Sequence, residues 1–278
     1  MSKINYNISN WGTVMGASVG LASVECEGTY EHLAIGSPQE GYTLVYKDPS
    51  GNEHVSYDVD NDVSGIIRGS NQVFPSSDAF VKVTESQTNP NQLSVRQTFI
   101  VPHNSTRIVI RMEVTNNGGA NGHDVSDLLI KRYADIDVDT GGTLGWAGFL
   151  GRWEKTRYSV FTYNLDSDIP LSATPRRHNH VVNMVAMPSD LPLDDAFVGK
   201  FGAWQYKQRA NNSPVVADGN ARIDAIGVLQ WHATKLRVGE TVRLNLYYDA
   251  FRGFCRRGNG PVVGTTDPIL VTDEPPIG

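Results

Sequence analysis

The sequence predicts an all-β protein: a large, two-sheet antiparallel β-sandwich. Three observations carry that prediction. Runs in which apolar and polar residues alternate with a period of two recur along the chain, the mark of half-buried strands. Turn-forming clusters of Gly, Asn, Asp, Ser and Pro separate those runs at intervals of about 8–15 residues. Helix signals are few. An up-and-down barrel is the alternative architecture, but it calls for strands of more even spacing.

Taken in order, strands are expected over 42–47 and 54–59, joined by the hairpin turn Asp48-Pro-Ser-Gly-Asn52. The stretch 60–78, rich in Asp, Ser, Gly and Asn, reads as irregular. A strand follows at 80–84. Over 93–101, Leu93, Val95 and Phe99 share one face, with Ser94, Arg96 and Thr98 on the other. Pro102-His-Asn-Ser-Thr106 is a turn by composition. Next, Ile108, Ile110, Met112 and Val114 alternate with Arg107, Arg111 and Glu113. The glycine- and asparagine-rich stretch 116–122 must be a loop. Leu128, Ile130, Ala134, Ile136 and Val138 form the apolar face of the next strand, which places Arg132 on that apolar face, where a charge needs a partner.

Leu144-Gly-Trp-Ala-Gly-Phe-Leu-Gly-Arg-Trp153 reads as a structured loop. Strands are expected at 157–165, 180–187, 226–234 and 241–250. In the last of these, Val242, Leu244, Leu246 and Tyr248 alternate with polar residues. Asp194-Asp195-Ala-Phe-Val is the start of a short helix by its N-terminal acids. One β-sandwich domain is expected over 1–264, with an irregular tail over 265–278 that carries Pro268, Pro275 and Pro276.

Length and composition agree with this picture. The chain has 278 residues, 40% of them hydrophobic and 19% charged. A chain of this length can bury about 75% of its unfolded surface, so no disulfide or metal is needed to hold a core. Cys26 and Cys255 either pair across a very long loop or remain free thiols. The net charge of -6 carries no basic excess, which disfavours sequence-independent nucleic-acid binding. No apolar run is long enough to span a bilayer as a helix, and the start lacks the apolar core of a signal peptide. Read literally, the chain is cytoplasmic; the alternative is a mature secreted domain behind a new Met.

The run 93–138 has a recognisable shape. A strand and a polar turn lead into Arg111-Met-Glu-Val-Thr-Asn-Asn117 and then into Val125 to Val138. This resembles the central hairpin of the galactose-mutarotase-like supersandwich, in which a strand ending in Val-Thr-Asn precedes a site-bearing strand. It is also similar to secreted β-domains of bacteria and archaea in which an Arg-Tyr or Arg-Arg run precedes acidic residues, and Gly36-Ser-Pro-Gln-Glu-Gly-Tyr42 suits the same group. The resemblance spans about half the chain. It implies a supersandwich-like fold and a central strand facing a ligand cleft. Mutarotase chemistry does not follow, because Asn179-His180 lacks the aromatics that come next in that family and no matching Glu is present.

Three constellations could carry chemistry. In a strand, Lys131, Tyr133, Asp135, Asp137 and Asp139 share one face. Neighbouring carboxylates raise one another's pKa, and such pairs make general acid–base sites; the alternative is a solvated face. Arg176-Arg177-His178-Asn179-His180 could place two imidazoles together, as some zinc sites do, but a third ligand would be needed and metal dependence is not expected. The aromatics Trp146, Trp153, Tyr158, Tyr163, Trp204, Tyr206 and Trp231 serve either as core or as a sugar-gripping surface. A functional pocket is therefore expected around Asp135, Asp137, Tyr133 and His180 as acid–base groups, with Trp146, Trp153, Lys131 and Arg152 as ligand contacts. No metal and no cofactor are assigned.

No Gly-x-Ser-x-Gly elbow, phosphate-binding Gly-x-x-x-x-Gly-Lys or His-Glu-x-x-His occurs. The reading that follows is a noncatalytic sandwich for a carbohydrate or another small polar or aromatic ligand. The alternatives are an isomerase, lyase, cyclase or glycoside-active enzyme using acid–base residues in a sandwich cleft, and a structural subunit. The expected partner is that ligand, with no nucleic acid and no membrane.

Overall fold

The computed structural model describes residues 3–14, 21–25, 28–31, 39–59, 62–103, 105–136, 151–163, 180–202, 205–211, 214–215 and 217–252. Among them no α-helix occurs, only two short 3-10 turns at Gly119–Asn121 and Gln205–Lys207. Two large antiparallel sheets pack face to face, as expected. The larger has nine strands in the order β16 (Asp218–Ile223), β12 (Gly151–Lys155), β13 (Ser159–Tyr163), β14 (His180–Met187), β18 (Thr241–Arg252), β10 (Arg107–Asn116), β9 (Leu93–Pro102), β8 (Ala79–Thr88) and β7 (Ile66–Pro75). The smaller has six: β15 (Leu193–Lys200), β17 (Ala225–Leu236), β11 (Val125–Asp135), β4 (Glu40–Lys47), β5 (Glu53–Val59) and β6 (Asp62–Ser64). A further sheet joins β1 (Lys3–Tyr6), β2 (Leu21–Glu25) and β3 (Gly28–Glu31).

The strand parities expected from the sequence set which side chains meet between the sheets. Ile108, Ile110, Met112 and Val114 of β10 and Leu244, Leu246 and Tyr248 of β18 face Leu44 of β4, Ile130 and Ala134 of β11 and Leu229 and Trp231 of β17 in one buried cluster. Gly227 permits a close approach there, since a Cβ would lie 2.6 Å from Val160 and 3.3 Å from the Trp153 ring.

The six-stranded sheet is too narrow to cover the far strands of its partner, and the N-terminal segment fills part of the gap. Lys82 Nζ on β8 donates to Ile8 O (2.8 Å) and Asn10 Oδ1 (2.9 Å). Gly12, at φ +89°, lies so close to β8 and β9 that a Cβ would collide with Gln97 Nε2 and Thr84 Oγ1.

Arg132 finds the partner its position demands. Its guanidinium pairs with Glu40, and both side chains are fully buried between the sheets. Arg132 also donates to Gln97 Oε1 (2.7 Å), while the Tyr248 hydroxyl and the Val14 amide donate to Glu40. Burial pushes the Glu40 carboxyl up, and these donors oppose that shift.

Two expectations are corrected. Residues 194–198 belong to strand β15, not a helix. Ala196 and Val198 pack inward and Phe197 outward, while Asp194 accepts from Gln230 Nε2 (2.7 Å) and Asp195 from Asn211 Nδ2 (3.0 Å). Acids that suit a helix start instead take partners from the neighbouring strand β17 and from the segment 205–211. Within 60–78, β6 and β7 are strands. Both lie at sheet margins, so no apolar alternation marks them. The Trp146 loop is described only from residue 151 onward, as β12. Cys26, Cys255 and the tail 265–278 lie outside the described residues.

Candidate functional site

The first region to weigh is the outer face of β11. Parity turns Lys131, Tyr133 and Asp135 away from the inter-sheet core, and this face is covered rather than solvated: Lys131 and Tyr133 are each 1% exposed and Asp135 5%. The cover is the segment 205–211. Lys131 Nζ donates to Gln208 O (3.0 Å), Arg209 O (2.8 Å) and Asn211 Oδ1 (2.9 Å). Burial, helped by the nearby Arg209 charge, pushes Lys131 down to about 8. The Tyr133 hydroxyl donates to Gln39 Oε1 (2.7 Å), and its ring meets Tyr206 edge-on at 5.2 Å. Burial, with Asp135 beside it, raises the Tyr133 phenol well above its ordinary value.

A bulge in β11 anchors the far end of this cover. Asp127 adopts φ 54°, a left-handed conformation uncommon outside glycine but one that Asp takes more readily than most residues, where the β11–β4 register shifts. Its carboxylate meets Lys47 at 2.8 Å, His232 at 2.9 Å and Arg209 at 3.1 Å. Lys47 foremost, with Arg209 and His232, holds that carboxyl below its usual range.

Of the predicted site residues, Lys131, Tyr133 and Asp135 are thus brought together. Trp153 is not with them: it is buried in the inter-sheet core under Gly227, on the other face of the six-stranded sheet. His180 opens β14 opposite Arg252. Asp137 and Trp146, and the side chains of His180 and Arg152, lie outside the described residues. Among the described residues no group of three His, Cys, Asp or Glu could hold a metal ion, and no helix is long and apolar enough to cross a membrane.

An open site lies elsewhere, on the outer face of the nine-stranded sheet. A groove of about 610 Å³ crosses β7, β8, β9, β10 and β18. Cross-strand register lays its floor in rows. One row runs Glu85, Arg96, Glu113, Arg243. The next runs Gln87, Ser94, Thr115, Thr241. In the first row the charges alternate: Glu85–Arg96 at 3.5 Å, Arg96–Glu113 at 3.9 Å, Glu113–Arg243 at 3.2 Å, then Arg243–Asp190 at 3.7 Å. Ser70 donates to Glu85 (2.8 Å), and the Thr115 and Thr241 hydroxyls bond each other at 2.7 Å. The contacts of Arg96 are long, and with Arg96 and Glu85 half exposed they leave guanidinium donors and carboxylate acceptors able to turn to a ligand. No aromatic ring lines the groove.

Sequence reasoning put Arg96 and Glu113 on polar strand faces but did not bring them together. A signal was available for that pair: β9 and β10 are consecutive strands separated by a short turn, and hairpin pairing sets Arg96 opposite Glu113; only Arg243 reaches the row through the distant pairing of β18 with β10.

The molecule is therefore a two-sheet antiparallel β-sandwich with a polar trough across its larger sheet. No family model matches the chain, and no curated protein matches it. Solved structures overlap it loosely. A putative kojibiose phosphorylase from the human microbiome shares 10% identity at a TM-score of 0.40, over 90% of this chain and 26% of that one. A polysaccharide lyase shares 8% at 0.49, over 91% and 32%. A copper-containing benzylamine oxidase from Hansenula polymorpha shares 9% at 0.43, over 88% and 60%. The chain thus spans about a quarter and a third of the length of the first two. Overlap at this level leaves the function to be argued from the site.

Proposed function

We propose that this chain is a ligand-binding β-sandwich that takes a neutral, polyhydroxylated ligand of carbohydrate type in the groove on its nine-stranded sheet. The observation that carries the reading is the alternating row Glu85, Arg96, Glu113, Arg243. Carboxylates and guanidinium groups alternate along it, with Asp190 beyond Arg243, so a strongly charged ligand meets a like charge beside each opposite one and gains little net attraction. A neutral ligand rich in vicinal hydroxyls matches the row in both senses, since carboxylates accept and guanidinium groups donate, and charge-assisted bonds are the stronger kind. The neighbouring hydroxyl row extends the same chemistry.

Titration calorimetry against a panel of neutral oligosaccharides tests this. One of them should bind, and Arg96→Met with Glu113→Gln should weaken it at least about tenfold, the loss of one or two charge-assisted bonds. Unchanged binding in that double variant, or no binding by the native chain, would remove the groove from consideration.

A second reading places acid–base chemistry on the outer face of β11, at Tyr133 and Asp135 with Lys131 beside them, and draws in Asp137, Trp146 and the side chains of His180 and Arg152 from outside the described residues; Trp153, buried between the sheets, takes no part in it. The depressed Lys131, buried on one face with Tyr133 and Asp135, favours it. The same panel, followed for turnover, decides: Asp135→Asn abolishes turnover if this reading holds and leaves groove binding intact if it does not.

A further inference from the structure

β7 closes one end of the nine-stranded sheet and pairs there only with β8. Among the described residues nothing pairs with its other edge. A row of unpaired backbone N–H and C=O groups is a template for another strand, and proteins usually blunt it with charge, proline, a bulge or a cover. Here the guard is partial. A register shift between Arg68 and Asn71 breaks the first half, and Pro75 ends the strand. From Gly69 to Phe74 every residue is exposed and none is charged. Val73 is 50% and Phe74 46% exposed, on opposite faces of the strand.

The remaining large-sheet and small-sheet edges are less inviting. β16 has six residues and carries Asp218 and Arg222. β6 has three. β15 carries Asp194, Asp195 and Lys200, and Gly199 bridges to Pro214.

We propose that two copies of this chain associate through β7, antiparallel about a two-fold axis at Val73, so that their nine-stranded sheets become continuous. Three features select a second copy as the occupant. The stretch from Gly69 to Ser77 holds no ionisable side chain, so self-pairing sets no like charges opposite. The axis at Val73 places Val73 against its own copy and Gln72 against Phe74, and keeps outer faces continuous with outer faces. Phe74 also ends an in-register apolar row on the outer face: Phe74, Val81, Ile100, Val109, Tyr247. Pairing lays the copy's Gln72 directly against this exposed end, with the copy's Phe74 on the diagonal, and so covers it.

Sedimentation equilibrium of the full chain from micromolar to millimolar concentration tests the proposal. The native chain should show a monomer–dimer equilibrium. Val73→Lys sets two ammonium groups face to face and should weaken it about tenfold or more. Its melting temperature at low concentration should hold, because Val73 is half exposed in the single copy. Asn220→Lys on β16 should leave the equilibrium unchanged. Hydrogen exchange should slow at β7 amides as concentration rises. A chain that stays monomeric throughout, including one whose β7 captures a strand of a different protein instead, overturns the proposal. So does a dimer indifferent to Val73→Lys.

Discussion

Lys131 shows what a single buried charge does in this fold. Three acceptors hold its ammonium against the segment 205–211, yet burial still disfavours the charged form and brings its value to about 8 from an ordinary 10.5. For a base lowered in the folded state, the cost of burying the charge is present in full below about 8. It is relieved as pH rises through that value, because the folded chain sheds its proton while the unfolded chain keeps one. Urea unfolding of the native chain and of Lys131→Met, followed from neutral pH to about 10.5, should show the native chain gaining stability relative to the variant across that window. A flat difference would mean that Lys131 titrates as an exposed lysine. Asp127 makes the complementary point: its unusual backbone is held by Lys47, His232 and Arg209, and Arg209 in turn lends its carbonyl to Lys131.

Among the elements, β18 lies at the centre of the larger sheet, between β14 and β10. Its register with β10 runs from Thr115↔Thr241 to Arg107↔Asp249, which puts Leu244 and Leu246 beside Met112 and Ile110. Leu246 is wholly buried, so Leu246→Ala should cost about 2–5 kcal/mol through lost burial and the cavity left behind. A denaturant midpoint that did not move would contradict that packing. β7 teaches the opposite lesson. It is exposed from Gly69 to Phe74, so no inward apolar stripe marks it in the sequence, whereas β15, also at a sheet edge, still buries Ala196, Phe197 and Val198.

At the scale of the whole molecule, the Arg132–Glu40 pair ties the six-stranded sheet to the nine-stranded sheet through Gln97 and Tyr248 and to the N-terminal segment through Val14. Removing one partner strands the other charge in the core. Arg132→Met or Glu40→Gln alone should cost about 3–5 kcal/mol. The two together should cost less than their sum, because the double variant leaves no buried charge unpaired. Strict additivity in that cycle would show that the pair does not act as a unit. Hydrophobic burial supplies the bulk of the attraction between the sheets, and the buried polar groups Arg132, Glu40, Gln97 and Tyr248 satisfy one another across them.

The amino-acid sequence by itself determined the fold class, because the period-two alternation in β9, β10, β11 and β18 is a local property that each strand carries whatever its neighbours. It also determined that Arg132 must have a buried partner and that Lys131, Tyr133 and Asp135 share a face. Which face meets what was decided only by the tertiary structure. Whether β11's polar face lies in water or beneath 205–211, which carboxylate answers Arg132 from a strand some ninety residues earlier, and which distant strand brings Arg243 into the row begun by Glu85, Arg96 and Glu113 all depend on strand order. Strand order comes from long-range pairing, and its free energy is spread over contacts between segments far apart in the chain, so no short stretch of sequence encodes it.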